Sequence, residues 1–317
     1  MMSARVYVIG DVMLDRDIVG ESDRRCPDSV GPVIDTTEVC EGPAGAGLAA
    51  MIATQYGADV SLITALADDP PGERLAASLR DQGIDVVAVP LCGSTPERTR
   101  IRSGGRTLAR VDCGDGIAPH GDIGIGAHHF DGADAILVSD YGRGLARCVT
   151  LRSALARSAA AGVPVVWDPH PRGADPVDGI MLMTPNLVEA QQQNIDRRLA
   201  EGASPREFGV RAVVVTGGEN GATLFTDGRA PQRVPIADNQ LVEADDVDTC
   251  GAGDAFAAAV TVELARGTPL SEAVAVAVER ATAMISEGLR VVGANRRGRG
   301  FPWCPSIPNR DQCLATG

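Results

Sequence analysis

Lysine is absent from this 317-residue chain, and all 29 basic residues are arginines. The absence excludes two kinds of chemistry. A phosphate loop of the Gly-Lys-Ser/Thr kind needs the lysine ammonium, and a Schiff base needs a lysine amine. Aromatic residues are scarce at 3%, so the core must be built from Ala, Val, Leu and Ile, which suits a parallel sheet covered by helices. No apolar run approaches the ~18 residues of a membrane-spanning helix, and no membrane role is expected. The stretch Met1 to Gly10 is already strand-like and has no basic leader pattern. Positive charge is also short. The net charge of −13 argues against nucleic acid as a partner, because phosphate backbones require a basic surface. The eight cysteines (26, 40, 92, 113, 148, 250, 304, 313) form no Cys-x-x-Cys pair and read as reduced thiols of a cytoplasmic protein. His128-His129 has no third ligand nearby, and Asp68-Asp69 reads as a helix cap.

What is present is an alternation of short β-branched runs with helical periods. Strands are expected at Arg5–Ile9, Val60–Ala65, Val86–Val89, Ala135–Val138, Val163–Trp167, Gly179–Thr184 and Val213–Thr216, with Ala222–Phe225 as a hairpin-like partner. Helices are expected at Ala44–Tyr56, Gly72–Gln82, Leu145–Ala161, Asp254–Arg266 and Leu270–Glu287. This rhythm predicts an α/β fold with a doubly wound, mostly parallel sheet, whose ligands lie beyond the carboxyl ends of the strands. Two insertions interrupt it. Residues 32–39 alternate weakly, after a charged, Pro- and Gly-rich stretch from Asp15, and Arg98–Asp112 reads as a hairpin around Gly104-Gly105. Together they predict a small accessory β-sheet. The Arg/Gly/Pro-rich segment 296–317 has no period and reads as an irregular tail behind a domain of residues 1–295.

The segment Asp248-Thr249-Cys250-Gly251-Ala252-Gly253-Asp254 runs into a helix. Its two glycines permit close backbone approach, and the N–H groups at a helix start attract an anion. A carboxylate at the head of that helix can take a hydroxyl proton while the N–H groups stabilise a transferring phosphoryl. Spacing alone is equally compatible with an ordinary Gly-rich loop.

The run from Asp248 to Phe256 resembles a signature of the ribokinase-like (PfkB) carbohydrate kinases. Gly10-Asp11-Val12-Met13-Leu14-Asp15-Arg16, Arg98-Thr99-Arg100, Val138 to Gly144, Asp168-Pro169 and Thr184 to Glu189 are similar to the branch that phosphorylates D-glycero-D-manno-heptose 7-phosphate at its 1-hydroxyl. The resemblance implies ATP and Mg²⁺ as cofactors. It makes Asp254 the base and Gly251, Ala252 and Gly253 the anion hole. Asp15 and Gly45 would face the sugar, Asn186, Thr216, Gly218 and Gly221 the nucleotide, and Glu189 Mg²⁺ through water. The insertions, about 15–42 and 95–113, match a β lid over the sugar that often pairs subunits, which implies a possible homodimer. Asp140, after a strand at the switch point, is a further substrate candidate.

The sugar-facing pattern departs from the family. Ala44 stands for the first glycine of Gly-Gly-x-x-x-Asn, Leu48 for its asparagine, and His170 for the lysine after Asp-Pro; the late-helix asparagine is replaced near Glu279-Arg280. Leucine cannot hydrogen-bond a hydroxyl, which leaves the acceptor class open: a sugar phosphate, a cyclitol phosphate, or an unphosphorylated sugar or nucleoside. Arg98, Arg100 and Arg102 would share a strand face able to grip a phosphate, or merely charge an exposed edge. A non-catalytic sugar- or nucleotide-binding regulator is the reading from outside the enzymes.

Overall fold

The β-branched runs become strands because each can bury side chains on both faces of one sheet. The computed structural model of the chain describes residues 3–237 and 249–286. Its main sheet contains β1 (Arg5–Gly10), β4 (Asp59–Leu66), β5 (Asp85–Pro90), β8 (Ala135–Ser139), β9 (Val165–Asp168), β10 (Ile180–Met183), β11 (Val210–Thr216), β12 (Ala222–Thr226) and β13 (Gln232–Val234). Their order is β13-β12-β11-β10-β9-β8-β1-β4-β5. The seven strands from β11 to β5 are parallel, and β12 and β13 run antiparallel. From β1 the chain winds one way to β4 and β5, then the other way from β8 to β11. The switch point therefore lies at the carboxyl ends of β1 and β8.

Helices cover both faces. Val6, Val8, Leu137, Val166 and Val214 join α1 (Ala46–Gln55), α6 (Ala252–Ala265) and α7 (Leu270–Ser286) in one core. Their alternating neighbours Ile9, Ile136, Val138, Trp167 and Val213 join α3 (Val149–Ala160) in the other. The expected doubly wound α/β sheet is thus the architecture found. Alanines at 255, 257, 258, 273 and 277 are wholly buried between the packed helices, which is how so few aromatics suffice.

The second sheet corrects the reading of residues 15–31. β2 (Val12–Arg25) is a 14-residue strand, paired antiparallel with β3 (Pro32–Gly45) and parallel with β6 (Glu97–Ser103); β7 (Arg106–Cys113) completes the order β3-β2-β6-β7. β3 and β6 therefore do not pair with each other. The strand escaped notice because its charges are satisfied across strands and leave no apolar alternation. β3 also runs into the expected helix start, and α1 begins only at Ala46 because Gly45 turns the chain at φ 62°. A 3-10 turn over Leu145–Arg147 precedes α3, so that helix begins at Val149 and not at Leu145. α2 (Pro70–Asp81) is capped by Asp69, as its sequence suggests.

Three short helical turns, α4 (Leu187–Gln192), α5 (Ile195–Ala200) and the 3-10 turn Pro205–Phe208, fill a stretch without a legible period. Asp248, Cys304, Cys313, Glu287 and the tail from 296 lie outside the described residues. Cys40 is disulfide-bonded, which corrects the expectation of a reduced thiol there; Cys26, Cys92, Cys113 and Cys148 are free thiols. Among the described residues no helix is long and apolar enough to cross a membrane.

Candidate active site

Acidic residues follow three of the parallel strands. Asp11, just beyond β1, is buried and accepts the N–H groups of Tyr141 (3.1 Å), Arg143 (2.8 Å) and Leu145 (3.4 Å). It staples the loop after β8 to the end of β1. Burial outweighs those bonds and pushes its carboxyl up to about 6. Asp140 is likewise buried, and its two oxygens accept from the N–H groups of Gly142 (2.8 Å) and Ala174 (2.7 Å). A Cβ on Gly173 would fall 2.3 Å from one of those oxygens, so the packing is close. Asp140 thus fixes the loops that meet at the switch point.

Asp254 lies in the first turn of α6, whose N-cap Gly251 adopts φ 84°. The Ala252 N–H donates to Thr249 O at 3.1 Å, so of the expected anion-hole donors this one is already engaged within its own turn. A side chain on Gly253 would meet open space. Asp254 itself is only 4% exposed, and the Tyr141 hydroxyl donates to both of its oxygens, at 3.0 and 2.9 Å. Burial pushes the Asp254 carboxyl up to about 7, the Tyr141 bond opposes it, and Asp15 and Glu189 add to the rise while Arg98 offsets it. Asp168, ending β9, accepts from the Thr184 hydroxyl at 2.9 Å. Burial first, then Asp254 and Glu189, hold it well above the ordinary carboxylate range. Carboxylates in one another's field, with little positive charge among them, suit a cation-bearing ligand.

The second sheet brings its charges to the same place. Asp15 pairs with Arg98 (3.6 Å) and Arg100 (3.3 Å), and Asp17 with Arg100 (3.5 Å) and Arg102 (3.2 Å). The three arginines do share a face, but as a ladder interleaved with two aspartates, so their charge is largely balanced. Arg100 also donates to Cys250 Sγ at 2.9 Å, tying β6 to the loop before α6. Glu41 of β3 binds Arg74 of α2 at 3.1 Å and anchors the sheet to the main domain. Gly45 packs so closely that a Cβ would lie 2.7 Å from Asp11 O and 3.1 Å from the Tyr141 ring. Leu48 is 5% exposed and belongs to the apolar core beneath this site.

On the far side, Asn186 and Glu189 form a reciprocal capping box at α4, each accepting the other's N–H at 2.9 Å. Asn186 bridges to Thr216, and Gly218 (φ 58°) and Gly221 (φ 73°) shape the turn between β11 and β12. Only glycine fits at 221, where a Cβ would fall 2.2 Å from Val234 O. Burial raises the Glu189 carboxyl, opposed by the Asn186 N–H. Among the described residues no three His, Cys, Asp or Glu side chains converge as direct metal ligands. A carboxylate set of this kind fits Mg²⁺ held through water.

Sequence reasoning gave no role to Tyr141, Asp17, Cys250 or Asp168, although all but Asp17 lie in the quoted motifs. Asp168 was findable as the acid ending a strand at the carboxyl edge. The contacts of Tyr141 exist only in the fold.

The profile of the pfkB family carbohydrate kinases matches residues 3–290. The chain is 39% identical over 294 residues to the bifunctional protein HldE of Streptomyces coelicolor, covering 89% of this chain and 60% of that protein. It is 33% identical over 283 residues to HldE of a Caulobacter species, covering 85% of this chain and 57% of that protein. It thus spans less than two thirds of the length of these curated relatives. Among solved structures, Arabidopsis thaliana ribokinase complexed with ribose and ATP aligns with a TM-score of 0.67 at 22% identity, covering 90% of this chain and 93% of that one. Phosphofructokinase-2 of Escherichia coli, in complex with substrates and products, aligns with a TM-score of 0.67 at 17% identity, covering 89% and 93%. At such identities the structures speak for the fold, while the profile spans nearly the whole described chain. The chain belongs to the pfkB family and is a carbohydrate kinase.

Proposed function

We propose that this chain transfers the γ-phosphoryl group of ATP to a hydroxyl of a sugar phosphate, with heptose 7-phosphate and its 1-hydroxyl as the leading acceptor. The observation that carries the reading is Asp254: a buried carboxylate at a helix start, raised to about 7, beside the open backbone of Gly253. A base titrating near the working pH is suited to taking a hydroxyl proton. In the transfer, the acceptor oxygen bonds to phosphorus as the bond to ADP breaks, and the proton passes to Asp254. The backbone at Gly251 and Gly253, at the positive end of α6, faces the transferring group. Thr216, Gly218 and Gly221 would line the nucleotide, and Asn186 and Glu189 would hold Mg²⁺ through water. When bound, Mg²⁺ neutralises charge on the nucleotide phosphates. The sheet β3-β2-β6-β7 serves as lid, keeping water from the reacting phosphate. A cytoplasmic setting and a homodimer through this sheet belong to the same reading; Leu108 and Val111 of β7 remain 45% and 46% exposed on it.

Leu48 favours a second reading within this chemistry, in which the acceptor is a cyclitol phosphate or another sugar phosphate. The HldE relatives support the heptose reading by identity, and apolar Leu48 supports a re-specified pocket. A coupled ADP-release assay with Mg-ATP and a panel of free and phosphorylated sugars and cyclitols separates them. Asp254→Asn should bind ATP yet lose several orders of magnitude in turnover. Near-wild-type turnover in that variant sinks the assignment of the base. Silence of the wild type across the panel, with ATP bound, moves the chain to the binding regulators.

A further inference from the structure

We propose that Tyr141 is a positioning residue for the base, whose phenol holds the Asp254 carboxylate in one orientation and keeps it ionised for proton transfer. The inference rests on the reading of Asp254 as base and extends it to a residue outside the signature segment. The geometry is a single O–H shared between two oxygens at 3.0 and 2.9 Å. Such a bond fixes the plane of the carboxylate, yet leaves each oxygen a lone pair for an incoming hydroxyl.

The phenol is itself held from several sides. The Tyr141 N–H donates to Asp11 at 3.1 Å, and the Asp140 N–H before it donates to Asp168 O at 3.0 Å. The ring stacks on His170 with centroids 6.2 Å apart, and Gly45, where a Cβ would lie 3.1 Å from that ring, closes another side. The segments after β1 and β9 and the end of β3 therefore determine where one hydroxyl sits, which is the arrangement expected of a preorganised donor.

The groups acting on Asp254 explain why such a donor is needed. Asp15 from β2 and Glu189 from α4 favour its neutral form, Arg98 from β6 favours the charged one, and Asp168 from β9 is itself raised by burial and by Asp254. Burial works against the charge as well, and a hydrogen bond to the charged form is the remaining way to stabilise it. The competing reading is that the phenol merely occupies the place of the acceptor hydroxyl. In that case the phenol leaves as the acceptor binds, so its removal would move the acceptor-free titration but leave the acidic limb of kcat unchanged.

Two measurements on the full chain decide between these. Carbon-13 NMR of carboxyl-labelled aspartates, with the Asp254 resonance identified by its loss in Asp254→Asn, reads the titration without any acceptor. Tyr141→Phe should raise that midpoint by about one pH unit, a tenfold loss of the ionised form below it. The acidic limb of kcat with Mg-ATP and heptose 7-phosphate should move with it, while the KM for ATP stays put. Tyr141→3-fluorotyrosine, a stronger donor of nearly the same shape, should move both the other way; it also carries the test should the phenylalanine variant fail to fold. An unmoved midpoint, or a moved midpoint with an unmoved kinetic limb, overturns the assignment. Failure of the base itself reads out separately, as turnover surviving in Asp254→Asn.

Discussion

Proton transfer at Asp254 and the backbone turn at Gly45 bring residue-scale chemistry to a test. A base acts only when ionised. With burial raising the Asp254 carboxyl to about 7, kcat/KM should fall about tenfold per pH unit below that value and level off above it. A pH–rate profile flat through neutrality would remove Asp254 from the role. Gly45 combines φ 62° with a Cβ position 2.7 Å from Asp11 O. Gly45→Ala should therefore lower stability by about 2 kcal/mol, within the range for strained backbone, and disturb the Tyr141 ring beside it. The urea midpoint measures the first effect and turnover the second.

Elements matter through how they are tied together. α2 begins at Asp69, whose carboxylate accepts the Gly72 N–H at 2.9 Å and also both the N–H (2.8 Å) and hydroxyl (2.6 Å) of Thr95, just before β6. One side chain thus caps a helix and positions a strand of the second sheet. Asp69→Ala should cost about 2–3 kcal/mol, more than a simple cap, because the buried Thr95 donors lose their partner too. Denaturant titration against a Ser substitution, which retains the cap alone, separates the two parts. In β6, the ladder with Asp15 and Asp17 leaves the arginines nearly balanced, so a substrate phosphate would join an existing network. Replacing Arg98 and Arg100 by glutamine should raise the KM for a phosphorylated acceptor by about tenfold or more and spare an unphosphorylated one. Equal losses on both acceptors would make the ladder purely structural.

At the scale of the whole molecule, the site concentrates acids that burial raises: Asp168, Asp254, Asp11, Asp15 and Glu189. A carboxyl raised in the folded state binds protons that the unfolded chain has released, so its contribution is present at low pH and is lost as pH rises through the folded value. Between roughly pH 4 and 7 this protein should become less stable as pH rises. His170, lowered by burial, opposes the trend, and the exposed acids held low, such as Asp112 and Glu207, oppose it only toward the acidic end. The melting temperature without nucleotide should be higher near pH 5.5 than near pH 7.5, and Mg-ATP should raise both by binding the folded state alone. Scanning calorimetry at the two pH values checks it; a rising melting temperature with pH would contradict the assigned shifts.

The alternation of β-branched runs with helical periods was enough to determine a doubly wound parallel sheet, because burial on both faces demands such runs. Local chemistry likewise determined the helix start near Asp254 and the Asp69 cap, whose partners lie within a few residues. The second sheet was only half legible. β2 satisfies its charges on β6, about eighty residues on, and no local period records that. Asp140 stood in the right place by topology, yet the backbone groups it accepts come from loops that only folding brings near. Tyr141 is the plainest case. Its hydroxyl and the Asp254 carboxylate are 113 positions apart in the chain, and their contact depends on the winding of β8 and α6 about one sheet. Residue type and spacing decide what a segment can form; which acids share a field, and which donor reaches them, is decided by the tertiary structure alone.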